Sequence, residues 1–170
     1  MSTNRFGQEL KEYNYTKEEL AKFNYAKFTT KNGEILIKLF NQETPNTVSN
    51  FATLVNDGFY NGLNFHRVID GFMAQGGCPD GTGAGGPSWA IKCEVDAPKQ
   101  VHKRGSLSMA HAGRDTGGSQ FFICFVPCPH LDKNHTVFGE IVENSENSFK
   151  TLDAIKQGDK IISIEILEKI

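Results

Sequence analysis

No apolar run in this chain is long enough to cross a bilayer. The first residues, MSTNRFGQELKEYNYTKEEL, carry charge where an export signal needs an apolar core, so no secretory leader is expected. Positive charge is not in excess either. Lys and Arg number 18 against 20 Asp and Glu, a net charge of −2, which removes any general attraction to phosphate polymers. Neither nucleic acid nor a membrane is therefore an expected partner. The four cysteines, Cys78, Cys93, Cys124 and Cys128, read as free thiols of a cytoplasmic protein, since a chain of 170 residues with no leader has no need of a disulfide frame.

Reactive groups are as scarce as membrane signals. No serine sits in G-x-S-x-G, and Ser119, which follows two glycines, leads into a strand pattern where a nucleophile elbow needs a helix. No pair of carboxylates lies in apolar surroundings, as glycoside hydrolysis requires. Gly81, Gly83 and Gly86 spell G-x-G-x-x-G, but no strand precedes them, Pro87 follows at once and no helix begins there. A mobile surface loop is the better reading. Cys124, Cys128, His130 and His135 have the spacing C-x3-C-x-H-x4-H, which departs from the C-x2-C knuckle of structural zinc sites, and Cys124 falls inside a strand-like run. These residues read as packing, and no metal or cofactor is expected.

What is present is 13 phenylalanines among 17 glycines, a mixture that favours short strands and tight turns in one domain with a proper core. Residues 1–23 are polar, and Thr16 followed by Glu19 fits a capping box with a short helix behind it, so this stretch is expected as an extension laid on a domain of residues 24–170. Asn32-Gly33 between alternating runs predicts a hairpin with both turn residues at positive φ, joining strands near 24–30 and 34–40. Thr44-Pro45 opens a helix, with Thr44 as cap, Val48, Phe51, Ala52 and Val55 on its apolar face and Gly58 as its stop. Further strands are expected near 64–69, 72–75, 106–110, 120–125 and 135–142. A second helix ends at Gly158, and a last strand puts Ile162, Ile164 and Ile166 on one face. So many antiparallel strands with two well-separated helices predict a mainly β fold that curls to protect its edges.

Two polar residues stand out inside apolar runs: Arg67 in FHRVIDGFMAQGG and Gln120 in GGSQFFICF. A lone arginine on a strand ordinarily lays its stem on the sheet and wets its head. Here alternation gives each segment an apolar group beside an amide, Met73 with Gln75 and Phe122 with Gln120. His111, His130 and His135 add polar groups nearby in sequence.

The three stretches FHRVIDGFMAQGG, SLSMAHAGRDTGGSQFFICF and HLDKNHTVFG, in that order, resemble the signature of the cyclophilin-type peptidyl-prolyl cis-trans isomerases, closest to bacterial single-domain members. The similarity runs from about residue 24 to the C-terminus. It implies a closed eight-stranded antiparallel β-barrel capped by two helices. It implies an enzyme that rotates X-Pro bonds without a cofactor, in proline-containing peptides and in unfolded or flexible protein segments. By the resemblance, Arg67 is the catalytic arginine, and Phe72, Met73, Phe122 and Leu131 receive the proline ring. Gln75 and Gln120 orient Arg67 and the substrate backbone, Ala110 and His111 line the groove, and His135 stands at its edge. His111 replaces an asparagine that holds the peptide through its main chain. His130 replaces a tryptophan that matters for cyclosporin, so weak binding of that drug is expected. A monomer is expected. Alternation sets Phe72 and Met73 on opposite faces although the family uses both, which calls for an irregular strand start after Gly71. A module that captures proline peptides without turnover is the competing reading, and the presence of Arg67 favours the enzyme, since capture needs only the pocket.

Overall fold

The computed structural model describes residues 2–170. Eight antiparallel strands form one curled sheet: β1 (Tyr25–Thr30), β2 (Gly33–Leu39), β3 (Arg67–Ile69), β4 (Met73–Gly76), β5 (Ser106–Met109), β6 (Phe121–Cys124), β7 (Val137–Ile141) and β8 (Ser163–Leu167). Their order is β3-β4-β6-β5-β7-β2-β1-β8, and the ladder ends at β3 and β8. The helices are α1 (Lys17–Lys22), α2 (Pro45–Asn56) and α3 (Glu146–Asp153), with a 3-10 turn at Pro129–Leu131.

Alternation sorts each central strand into two faces. Val68, Ala74, Ile123 and Leu107 are register neighbours across β3, β4, β6 and β5, and they point into the main core. That core is largely aromatic. Phe51 of α2 packs against Phe138 at 5.2 Å and Tyr60 at 5.3 Å between ring centroids, and Phe28 meets Phe121 edge-on at 5.4 Å. Rings of this size remove large areas from water and lock in tilted or edge-to-face pairs. Val48, Phe51, Ala52 and Val55 are all buried, and Gly58 ends the helical stretch at a φ of 74°.

The sequence expectations fail locally at four places, the first being that α3 ends at Asp153 and not at the expected stop, Gly158, because Ala154 N closes the last turn on the carbonyls of Lys150 and Thr151. The β1–β2 turn holds Lys31 and Asn32, with Thr30 facing Gly33, and of the Asn32-Gly33 pair only Gly33 has positive φ. Glycine is required there for a second reason: a Cβ would stand 2.7 Å from Thr151 Oγ1 of α3. Thr44 does not cap α2, because its hydroxyl donates to the carbonyl of Phe40. The cap comes from far along the chain. The Glu94 carboxylate accepts from Thr47 N at 2.7 Å and from Thr47 Oγ1 at 2.6 Å, a charged acceptor at the positive end of the helix. Before β8, Ile161 is buried and Ile162 is exposed while Ile164 is buried, so the alternation breaks between 161 and 164. The cause is that Ile161 bonds to Leu63 while Ile162 bonds to Thr29, on different neighbours.

The capping box at α1 forms, with Glu19 N donating to Thr16 Oγ1 and Thr16 N to Glu19 Oε1. The chain before it is bonded to α2. Tyr13 donates from N to Asn46 Oδ1 and from its hydroxyl to Asn50 Oδ1, and the Tyr15 hydroxyl pairs with that of Thr53, all on α2.

Candidate functional site

The outward face of the same strands carries a second row. Arg67 of β3 faces Gln75 of β4, Gln75 faces Phe122 of β6, and Phe122 faces Ser108 of β5. One register step along, Ile69, Met73 and Cys124 form the neighbouring row. Arg67 and Gln75, eight residues apart in sequence, are therefore brought side by side by the β3–β4 hairpin.

Arg67 is exposed, and its Nη1 donates to Gln75 Oε1 at 3.4 Å. Gln75 Nε2 donates to Gln120 Oε1 at 3.0 Å, and Gln120 Nε2 donates to the carbonyls of Gly83 at 2.8 Å and Gly85 at 3.0 Å. The amide orientations in this chain are thus dictated from its far end, since a carbonyl accepts only from the NH2 side of Gln120. The glycine loop is bonded on both faces: the N–H groups of Gly83 and Gly85 donate to Cys78 Sγ. Ser119 gives its hydroxyl to the carbonyl of Gly77 at 2.7 Å and is buried, so it is not presented as a nucleophile.

Beside Arg67 lies a small apolar cluster distinct from the main core. Met73, Ala110, Phe122, Cys124 and Cys128 are buried in it, and Phe72, Val126 and Leu131 pack on it while keeping exposed area. Phe72 precedes β4. It lies in the turn made with Gly71 at a φ of 71°, its N–H donates to Ile69, and it escapes the alternation that would have turned it away from Met73. His130 tilts against Phe72 at 5.6 Å. His111 and His135 stack at 4.0 Å, and His135 meets the edge of Phe122 at 5.4 Å. His135 Nδ1 bonds to the carbonyl of Met109, and burial, with His111 and His102 nearby, pushes its pKa down to about 4. The ring that faces Phe122 is accordingly neutral at pH 7. Arg67, Gln75 and Gln120 stand along the adjoining row, and the contacts above set Phe72, Met73, Ala110, Phe122, Leu131, His111, His130 and His135 around one small apolar cluster.

Sequence reasoning missed what stands behind it. His102, from the irregular stretch after β4, is buried and stacks parallel to Phe122 with centroids 5.8 Å apart. Its Nδ1 and its own backbone N each lie 2.8 Å from Asp132 Oδ1, and its Nε2 lies 2.8 Å from Ser108 Oγ. Burial pushes the His102 pKa down, and Asp132 opposes that shift. Burial works in the other sense on Asp132, but the bonds from the backbone and ring of His102 hold its carboxyl below the usual range. Asp132 follows Leu131 directly, so one carboxylate links the neighbour of Leu131 to the ring that stacks on Phe122. Nothing in the local pattern around His102 marks it. Only the fold sets it behind Phe122.

Among the described residues, no group of three or more His, Cys, Asp and Glu side chains is arranged to hold a metal ion. Cys124 and Cys128 belong to the apolar cluster, and burial pushes both thiols up.

The family described as cyclophilin type peptidyl-prolyl cis-trans isomerase/CLD matches residues 25–168. A peptidyl-prolyl cis-trans isomerase of Helicobacter pylori is 61% identical over 155 residues, covering 91% of this chain and 94% of that protein. Peptidyl-prolyl cis-trans isomerase B of Bacillus subtilis is 57% identical over 113 residues, covering 66% of this chain and 79% of its own. A Cryptosporidium parvum cyclophilin type isomerase, crystallised in the presence of the dipeptide Ala-Pro, superposes with a TM-score of 0.75 at 33% identity, over 84% of this chain and 98% of that one.

Proposed function

This chain belongs to the cyclophilin-type peptidyl-prolyl cis-trans isomerases, and on that footing we propose that it turns X-Pro bonds at the depression between Arg67 and Phe122, with Arg67 as the catalytic residue. Its reaction is rotation about an X-Pro peptide bond, with a general role in protein folding. The observation that supports the site is the row Arg67–Gln75–Phe122, with one guanidinium at one end and one residue of the apolar cluster at the other.

Rotation about a peptide bond meets a barrier of roughly 18–20 kcal/mol because the nitrogen lone pair is shared with the carbonyl. No bond breaks, so neither nucleophile nor cofactor is called for. The ring of the proline enters between Phe72, Met73, Phe122 and Leu131 while the preceding carbonyl swings. As the bond twists, the lone pair localises on nitrogen and becomes an acceptor. A donor aimed at it binds the twisted state better than either planar one. Arginine suits this task, since it keeps its protons and offers a planar fork that Gln75 orients, whereas it is a poor general acid. Gln120 holds Gln75 and borders the path of the substrate backbone with Ala110 and His111. His130 and His135 form the rim.

The partners proposed are proline-containing flexible segments, engaged by a monomer in a reducing cytoplasm, in keeping with four free thiols. Cyclosporin is proposed as a weak ligand because His130 offers less apolar face than an indole. Closure of the sheet into a barrel is proposed too. It is supported by backbone bonds from Gly62 to Ile161, Ile161 to Leu63 and Phe65 to Asp159, which join the segments leading into β3 and β8. Residues 1–23 are proposed as an extension of the catalytic domain.

Exchange-detected NMR on a short proline peptide tests the site. Arg67→Ala and Arg67→Lys are each expected to lower kcat/KM at least about tenfold, or roughly 1.4 kcal/mol of transition-state stabilisation, with little change in peptide affinity. Near-parental turnover by Arg67→Lys would make Arg67 a bystander.

A further inference from the structure

A second cavity, of about 510 Å³, adjoins the proline site and shares Gln75, Ala110, His111 and Gln120 with it. Its remaining walls come from the glycine loop, Trp89, Ala112, Thr116, Gly118, Ser119, and one residue from far away in sequence, Gln8. Gln8 lies outside the stretch that the family matches, residues 25–168.

Its placement is built rather than incidental. Residues 3–9 form a small hairpin, with Thr3 bridged to Glu9, Asn4 N donating to Gln8 O, and Gly7 at a φ of 78° in the turn. The Asn4 side chain organises it. Its Oδ1 accepts from Phe6 N at 2.9 Å and Gln8 N at 3.0 Å, while its Nδ2 donates to Gln8 Oε1 and to the carbonyl of Asp115, both at 2.9 Å. Arg5 donates to the carbonyl of Ala112, which itself lines the cavity. The chain then runs on as a strap beside Ala90: Ala90 N donates to Glu9 O, Lys11 N donates to Ala90 O, and Leu10 is buried. Lys11 Nζ lies 3.8 Å from the ring centroid of Trp89, fixing another wall residue.

We infer that this N-terminal strap is a specificity-determining element, closing a second pocket that takes a neutral polar side chain close to the substrate proline. The inference rests on the proline site proposed above. The lining is made of amides, hydroxyls, backbone and the His111 ring with Trp89, Pro87 and the methyls of Ala84, Ala110 and Ala112; no Asp, Glu, Lys or Arg side chain lines it, and both ring nitrogens of His111 are engaged, Nδ1 by Gly113 N and Nε2 by the carbonyl of Asn134. A carboxylate or ammonium buried there would find no counter-charge on the lining, and a large aliphatic group would displace water from amides it cannot satisfy. A carboxamide satisfies the lining. Because Asn4 occupies Gln8 Oε1, the NH2 of Gln8 is the group left to donate. An extended peptide advances about 3.3 Å per residue, so a cavity that shares four residues with the proline site receives a near neighbour of the proline.

The test uses peptides with an Ala-Pro core carrying glutamine, leucine or glutamate in turn at each flanking position, assayed with the full chain, with Gln8→Ala, with Asn4→Ala and with a chain lacking residues 2–8. At one flanking position the full chain is expected to favour glutamine over leucine and glutamate by about threefold or more in kcat/KM, through KM with kcat alike. All three altered chains are expected to bring that ratio close to one. A ratio unchanged by all three alterations, or no discrimination by the full chain at any position, would overturn the inference. Arg67→Ala on the same peptides is the separate control. If it matches the full chain in turnover, the proline site itself is misplaced and the inference falls with it. If it loses turnover while the ratio is insensitive to the strap, only the strap inference falls.

Discussion

Arg67 is exposed, yet its direction is inherited from amides behind it: Gln75 holds the guanidinium, Gln120 holds Gln75, and the carbonyls of Gly83 and Gly85 hold Gln120. The apolar cluster beside it is likewise set from behind. His102 backs Phe122 and, through Asp132, steadies Leu131. His102→Ala removes that backing and leaves Asp132 with the backbone N–H of residue 102 alone, so KM is expected to rise at least about fivefold with kcat within about twofold, because the lost contacts serve planar and twisted substrate alike. Steady-state kinetics on the folded variant checks this, and an unchanged KM would mean that Phe122 and Leu131 need no support. On the rim, His130 tilts against Phe72. His130→Trp enlarges the apolar face and adds an N–H donor, and is expected to tighten cyclosporin by roughly 1–2 kcal/mol in a titration. Equal affinities would show that the position does not touch the drug.

At the scale of elements, short strands do the positioning. β3 holds only Arg67–Ile69, enough to bring Arg67 opposite Gln75 and Val68 into the core. α2 shows how local signals yield to distant ones. Thr44 and Pro45 mark the start correctly, but the acceptor that satisfies the first turn is Glu94. Glu94→Gln keeps the shape and removes the charge. It is expected to cost about 1 kcal/mol, which for a chain of this size lowers Tm by roughly 2–4 °C. Calorimetry on the variant and the parent checks this. A Glu94→Gln chain as stable as the parent would contradict the assignment of the cap.

For the whole molecule the histidines near the site couple fold to pH. In the unfolded chain His135 takes a proton near its ordinary 6.5, and in the folded chain only near 4. Between those values the unfolded state holds more protons, so stability is expected to fall as pH drops through that window and to level off below about 4. For a half-buried ring the loss is on the order of 1–2 kcal/mol once solvent screening is allowed for. His102, also shifted down by burial, adds to the loss with the same sign. Denaturant unfolding between pH 7 and 4 measures the slope, and His135→Gln is expected to flatten it. An unaltered slope would show that His135 is protonated in both states alike.

How much was legible follows from how far each cause reaches along the chain. Alternation and capping act within a few residues, so the β1–β2 hairpin, the Thr16–Glu19 box, the Val48–Val55 face of α2 and the placing of Met73 with Gln75 on one face could be read directly. The assignment of Arg67, Phe72, Leu131 and the histidines to one site needed the resemblance, because no periodicity joins residues so far apart. The remainder was decided only by folding. Asn32 missed positive φ because strand register shifted the turn, Thr44 lost its capping role to the carbonyl of Phe40, and Ile161 to Ile164 broke step because the chain changes neighbours there. His102 behind Phe122, Glu94 at the start of α2 and Gln8 at the mouth of the second cavity are contacts between distant segments. Their geometry arises only once the sheet has curled and brought those segments together, which is why no local pattern announces them.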